Sequence, residues 1–141
     1  NGLPIYSRAR YLPGSQLKDV MVNEAVICEG CIIERSTITR SLIGVRAIVK
    51  PGAHIENSII MGADYYEEER AEKGPVPIGI GDNARIVRAI IDKNARIGKG
   101  VVIEGGDHLP DVDGLGHAVR DGIVIVLKGA VIPDGMRIGV T

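Results

Sequence analysis

The chain has 141 residues and carries 17 Lys and Arg against 18 Asp and Glu, a formal net charge of −1 at pH 7. This length predicts one domain with a core of ordinary size. The balanced charge lacks the basic field that sequence-independent nucleic-acid binding needs, and no apolar run reaches the ~18 residues of a membrane span. We therefore expect neither nucleic-acid nor membrane partners. Because the chain begins with Asn1 and has no signal-peptide pattern, we also expect a segment of a longer protein.

Isoleucine and valine dominate the apolar residues. The sequence has 21 Ile and 15 Val against 7 Leu, with no Phe and no Trp. β-Branched residues favour strands, whereas helical bundles rely on leucine. The 19 glycines favour frequent corners, where the backbone must turn without a Cβ in the way. This composition predicts an all-β fold with an aliphatic core.

In chain order, residues 1–19 form an entry segment, and residues 20–141 carry a repeat. Aliphatic residues recur there about every six positions, many with a small residue two positions earlier. They are Ile27, Ile33, Ile38, Ile43, Val49, Ile55 and Ile60, then Ile80, Ile86, Ile91, Ile97 and Ile103, and last Val126, Ile132 and Ile138. A helix repeats every 3.6 residues and a plain strand every two, so neither explains this period.

A short strand and a corner, repeated three times per coil, place every sixth aliphatic side chain inside a triangular prism. The period therefore predicts a parallel β-helix built from hexapeptide repeats, with about five coils. The alternative is an antiparallel sandwich, which would show hairpin turns every ~8–12 residues and no such register.

Two stretches interrupt the repeat. Residues 63–77 are polar and include Glu69 and Lys73 at helical i, i+4 spacing, so they predict a loop or short helix leaving the prism. Residues 104–121 are rich in Gly and Asp, with scattered apolar residues, and predict a second excursion loop. Interruptions of this length in a solenoid are often functional or contact another domain.

Few residues in the repeat offer catalytic or metal chemistry. Cys28 and Cys31 match C-x-x-C, but no second pair completes four zinc ligands, and the register puts Cys31 at the small inward position, where it would pack like alanine. His54 points outward, and His108 and His117 fall in the second excursion. All three are interpreted as surface residues, although coil-borne histidines serve as bases in acyltransferases on this solenoid.

Basic residues offer one further candidate. Arg85, Arg88, Lys93 and Arg96 lie along one coil, and Lys128 follows the apolar run 123–127. Several such donors converging would bind a phosphate, whereas scattered Lys and Arg are ordinary solvated surface. Spacing alone leaves both interpretations open.

Several segments, in order over nearly the whole chain, closely resemble the C-terminal domain of ADP-glucose pyrophosphorylase (glucose-1-phosphate adenylyltransferase), in its cyanobacterial and plant type. They are residues 4–6 (PIY), 10–13 (RYLP), 61–67 (MGADYYE), 77–81 (PIGIG), 88–98 (RAIIDKNARIG) and 122–124 (GIV). The family makes ADP-glucose and pyrophosphate from ATP and glucose 1-phosphate with Mg²⁺, toward glycogen or starch. The resemblance implies a left-handed β-helix domain.

The resemblance also implies partners and site residues. The nucleotide loop and metal-binding acids of the family lie in an N-terminal catalytic domain, so this chain should contain no catalytic residue, no metal site and no cofactor of its own, and should be inactive alone. It implies that residues 1–19 link this domain to the missing catalytic domain. It also implies packing against that domain, homo- or hetero-oligomers (tetramers in the family), and allosteric control by sugar phosphates and phosphate. The matching effector lysines are Lys93 and Lys128, with Arg88 and Arg96 as further candidates.

Two departures from the family pattern bear on regulation and source. Asp121 stands where the family usually has a basic residue, which leaves the effector open, and the second excursion favours a bacterial cytoplasm over a plastid. Two other functions compete with the regulatory one. The first is a self-contained trimeric hexapeptide acyltransferase with His54 as base, and the second is an oligomerisation scaffold without an effector.

Overall fold

The computed structural model describes residues 14–66 and 76–139 and shows a parallel β-helix with three sides. The predicted pairing of Glu69 with Lys73 lies outside the described residues. Within the described ranges all regular structure is strand. These ranges contain no helix that is long and apolar enough to cross a membrane.

Each side of the prism is one sheet of short strands. Sheet I contains β1 (Gln16–Lys18), β4 (Ile32–Glu34), β7 (Ile48–Val49), β10 (Gly79–Ile80), β13 (Arg96–Ile97) and β18 (Val131–Ile132). Sheet II contains β2 (Met21–Asn23), β5 (Thr37–Thr39), β8 (His54–Glu56), β11 (Arg85–Val87), β14 (Val102–Glu104) and β19 (Arg137–Ile138). Sheet III contains β3 (Val26–Ile27), β6 (Leu42–Ile43), β9 (Ile59–Ile60), β12 (Ala89–Ile91) and β17 (Ile123–Val126), followed by β16 (His117–Arg120) and β15 (Val112–Asp113).

The predicted aliphatic column forms the core, which confirms the six-residue register. All of its members are buried except Ile27, which is partly exposed in the first coil. Parallel pairing stacks equivalent residues directly, as Ile80 on Ile97 and Ile97 on Ile132. Most of the small residues two positions before them are buried as well, because the prism narrows at each corner; Ala25 and Ala130, in the end coils, are partly buried.

The ends of the β-helix extend the predicted repeat. The first strand begins at Gln16, four residues before the expected domain boundary at residue 20, and β1 pairs with β4 over three residues. Its inward residue Leu17 stays 48% exposed because the described chain places no coil below it. Five coils are complete, and β18 and β19 begin a sixth, in agreement with the predicted number.

The second excursion has more order than the sequence indicates. It leaves the prism after β14 and returns as β15 and β16, and β16 pairs antiparallel with β17. This strand occupies the side of sheet III where the third strand of the sixth coil would lie. Val119 of β16 is 4% exposed and packs against the core. The irregular loop expected here is corrected to an antiparallel hairpin that covers one side of the last coil.

Candidate functional site

The two predicted effector lysines lie at one corner of the prism, between sheets III and I. The Gly129 amide donates to the Lys93 carbonyl at 2.9 Å, and the Asn94 amide donates to the Gly62 carbonyl at 3.0 Å. These bonds stack successive corners, so Lys93 and Lys128 occupy the same corner position on neighbouring coils. Neighbouring strands are about 4.8 Å apart, which brings the two side chains within reach of one small anion.

A carboxylate and an amide complete this group, which we call the lysine corner: Lys93, Lys128, Asp64 and Asn94. The Asp64 amide donates to Asn94 Oδ1 at 2.9 Å, and Asn94 Nδ2 donates back to Asp64 Oδ2 at 3.0 Å. Lys93 Nζ donates to Asp64 Oδ1 at 3.3 Å. Asp64 was not predictable as part of this site, because it lies 29 positions before Lys93 in the chain.

The electrostatics of the lysine corner keep Asp64 ionised. The hydrogen bonds from Asn94 and then Lys93, together with the positive charges of Lys93 and Lys128, hold the pKa of Asp64 below its ordinary value. Within the described residues no carboxylate lies within ion-pair distance of the Lys128 ammonium. The corner therefore carries two cations against one bonded carboxylate.

The structure places the two further arginine candidates elsewhere. Arg88 lies at the other end of β12, about 16 Å of extended chain from Lys93, and Arg88 Nη2 donates to Asp107 Oδ1 at 2.5 Å. Arg96 lies on the outer side of β13, where its Nη1 donates to the Val76 carbonyl at 2.9 Å. Lys93 and Lys128 alone are brought to one corner.

The cysteines have a packing role. Cys31 is fully buried, and its thiol donates to the Gly44 carbonyl at 3.1 Å. Burial raises the pKa of Cys31 to about 11, so the thiol stays protonated at neutral pH and is a poor nucleophile and metal ligand. The inward, alanine-like placement predicted for Cys31 is confirmed.

The histidines lie on different elements. His54 faces outward from β8, and its Nε2 lies 3.0 Å from Glu56 Oε1. His108 follows β14 in the excursion, and His117 lies in β16 at the end of the prism. Among the described residues no three or more His, Cys, Asp or Glu side chains are placed to hold a metal ion. The Mg²⁺ site that the resemblance implies stays an expectation for a catalytic domain.

Sheet III carries an apolar outer face, defined by Val26, Leu42, Ile59, Ile90 and Ile125. Parallel pairing aligns these five residues in one continuous row along the prism. Val26 is 59%, Leu42 40% and Ile59 42% exposed. The matching outer positions of sheet II are polar in three consecutive coils, with Thr37, His54 and Arg85. Contiguous exposed apolar surface is characteristic of interaction sites in proteins.

Stacked hexapeptide coils, an aliphatic column and short corner turns define this chain as a hexapeptide-repeat β-helix domain. The family described as "GLGC left-handed parallel beta-helix domain" matches residues 10–137, and the chain belongs to this family. The predicted left-handed β-helix and the resemblance to ADP-glucose pyrophosphorylase are thereby confirmed.

One relative is the chloroplastic/amyloplastic small subunit of glucose-1-phosphate adenylyltransferase from Triticum aestivum. It is 47% identical to this chain over 139 residues, a match that covers 94% of this chain and 29% of the relative. The chain thus spans less than a third of that protein. The plastid location of this relative does not support the expected bacterial source.

Proposed function

We propose that this chain is the regulatory and assembly domain of a glucose-1-phosphate adenylyltransferase. A separate catalytic domain, with Mg²⁺, would convert ATP and glucose 1-phosphate to ADP-glucose and pyrophosphate, and this chain alone would be inactive. Family membership and the identity with the wheat subunit support the enzyme class. The placement of Lys93 and Lys128 at one corner supports the regulatory role.

The lysine corner suits a phosphate group because it presents two ammonium groups from neighbouring coils. Each ammonium can supply charge-assisted hydrogen bonds to phosphate oxygens, which are about twice as strong as neutral ones. The rigid corner fixes the spacing of the two lysine backbones, so little ordering is needed when an anion binds. An anionic sugar phosphate or inorganic phosphate is therefore the proposed effector class.

Control of catalysis would follow from differential binding. An effector held at the lysine corner shifts the enzyme toward the arrangement of domains that binds the effector more tightly. By linkage, substrates that favour this arrangement bind more tightly when the effector is present. No residue of the lysine corner needs to touch the reacting phosphates.

The test replaces Lys93 or Lys128 with alanine in the full-length enzyme and measures its rate against the concentration of a sugar-phosphate activator. Losing one charge-assisted contact costs on the order of 1.5–3 kcal/mol, so the concentration for half activation should rise about tenfold or more. Lys99→Ala is the control, because Lys99 is exposed at a different corner of the prism. Unchanged activation in both corner variants would refute the effector site.

The assembly role rests on the apolar outer face of sheet III. More than two thirds of the length of the wheat relative lies outside the matched region, and we propose that the catalytic domain of the same protein covers this face. Burial of its aliphatic side chains would stabilise the contact by about 25 cal/mol per Å² of apolar surface removed from water. Oligomers would then form from units that combine both domains.

A charge placed in the apolar face should disrupt this contact. We expect Ile59→Asp to abolish binding of this chain to the separately expressed catalytic part, because an ionised carboxylate would be buried without a partner. Thr37→Asp on the outer side of sheet II is the matched control and should bind normally. Pull-down measures the binding. The alternative occupant of this face is a second copy of the chain. Light scattering of the isolated chain tests it, because a dimer or larger mass that is lost in Ile59→Asp would assign the face to self-association.

A further inference from the structure

We propose that Asp64 is a built-in competitor at the lysine corner, an internal carboxylate that an incoming anion must displace from Lys93. This inference rests on the proposed function, because it assumes that Lys93 and Lys128 bind an anionic effector. It assigns to Asp64 the role of setting which anions bind and how tightly.

The Asp64 carboxylate is anchored by Asn94 and only loosely bonded to Lys93. Two hydrogen bonds with Asn94, at 2.9 and 3.0 Å, fix the Asp64 backbone and Oδ2. The bond from Lys93 Nζ to Oδ1 is longer, at 3.3 Å, and both side chains are 44% exposed. Exposed ion pairs of this kind contribute little stability. The Lys93 bond can therefore open while Asp64 keeps its anchor.

The charge of Asp64 decides which anions can open that bond. Asp64 is ionised at neutral pH, so it offers Lys93 one negative charge at short range. A monoanion brings only the single charge that Asp64 already offers to Lys93, so it gains little from replacing this carboxylate. A phosphate carrying nearly two charges can, because it attracts both Lys93 and Lys128. Asp64 thus selects for dianionic phosphates over ordinary salt anions.

The position of Asp64 in the chain couples the Lys93 bond to the first excursion. Asp64 begins the first excursion, directly after the corner formed by Gly62 and Ala63. Two residues later, the Tyr66 hydroxyl donates to the Gly30 carbonyl at 2.8 Å. An anion that takes Lys93 from Asp64 therefore removes one of the contacts that tie the start of this excursion to the prism.

The experiment measures binding of inorganic phosphate to this chain by calorimetry at constant ionic strength. If Asp64 competes for Lys93, Asp64→Asn should bind phosphate at least about threefold more tightly, because the asparagine can keep its bonds to Asn94 and loses only the charge. Asp113→Asn is the matched control. It removes the same charge from an ion pair with Arg120 in the hairpin and should leave phosphate affinity unchanged.

A double variant separates the two proposals. If Asp64 acts through Lys93, the gain from Asp64→Asn should disappear in a Lys93→Ala background. Weaker phosphate binding in Asp64→Asn would mean that Asp64 organises the site, and equal binding would mean that it has no role. Either outcome overturns the role of Asp64. The effector site itself would still stand, provided that Lys93→Ala weakens phosphate binding. If Lys93→Ala and Lys128→Ala bind phosphate as tightly as the unaltered chain, the proposed effector site itself is wrong. Asp64→Ser provides a second variant if Asp64→Asn does not fold.

Discussion

Replacing Ile97 with alanine is expected to lower the free energy of unfolding by about 2–5 kcal/mol, the range for large-to-small changes in a close-packed core. Ile97 is 1% exposed and stacks between Ile80 and Ile132 in the inward column of sheet I. The coils above and below are tied by parallel backbone pairing, so the prism cannot collapse around the missing methylenes. Urea unfolding followed by circular dichroism measures the loss.

The matched control for Ile97 lies two residues away. Lys99 is exposed and points away from the column, so Lys99→Ala should change the free energy of unfolding by no more than about 0.5 kcal/mol. The difference in stability loss between the inward Ile97 and the outward Lys99 tests the six-residue register directly. Similar losses in the two variants would show that the side chain of Ile97 does not fill the core.

Replacing Gly62 with alanine is expected to cost about 3 kcal/mol or more. Gly62 has a φ of +90°, a backbone conformation that residues with a Cβ rarely adopt. An added Cβ would also overlap the Val45 carbonyl oxygen of the preceding coil. That oxygen is backbone and accepts the hydrogen bond from the Ala63 amide. The clash can therefore be relieved only by separating two stacked corners.

Gly100 is the control that isolates the clash from the backbone strain. It also has a positive φ, +65°, but an added Cβ would meet no atom within 4 Å. Gly100→Ala should therefore cost only the strain of the left-handed conformation, about 1–2 kcal/mol. Both variants are compared by their urea midpoints. A loss in Gly62→Ala no greater than that in Gly100→Ala would contradict the close approach of the corners.

The core was predictable because its chemistry repeats. Every inward position of the prism has nearly the same size, so it selects Ile or Val at each coil, and the six-residue period follows directly in the sequence. The apolar outer face of sheet III is visible in the same way, since Leu42 and Ile59 directly precede inward isoleucines. This signal is weak in the sequence, because single outward aliphatic residues are common on protein surfaces.

The hairpin of the second excursion was not predictable by the same route. Its strands, Val112–Asp113 and His117–Arg120, contain one buried apolar residue, Val119, so they show no six-residue period. Strand structure there depends on pairing with β17, which comes later in the chain. The sequence signal for this pairing was Asp121-Gly122, the two-residue turn between β16 and β17. Both of its residues have a positive φ, 53° and 78°, as a type I′ hairpin turn requires.

The sequence by itself determined the period, the aliphatic column and, through the family resemblance, the two lysines. Only the tertiary structure decided which residues meet at the lysine corner. Coils without an excursion advance the corner by 16 or 17 residues, as from Glu29 to Val45 to Gly62, but Lys93 follows Gly62 by 31 and precedes Lys128 by 35. Excursions change the separation along the chain and leave the stacking distance unchanged, because backbone hydrogen bonds between coils fix it. Asp64 therefore meets Lys93 through the stacking of coils, which no spacing in the sequence reveals.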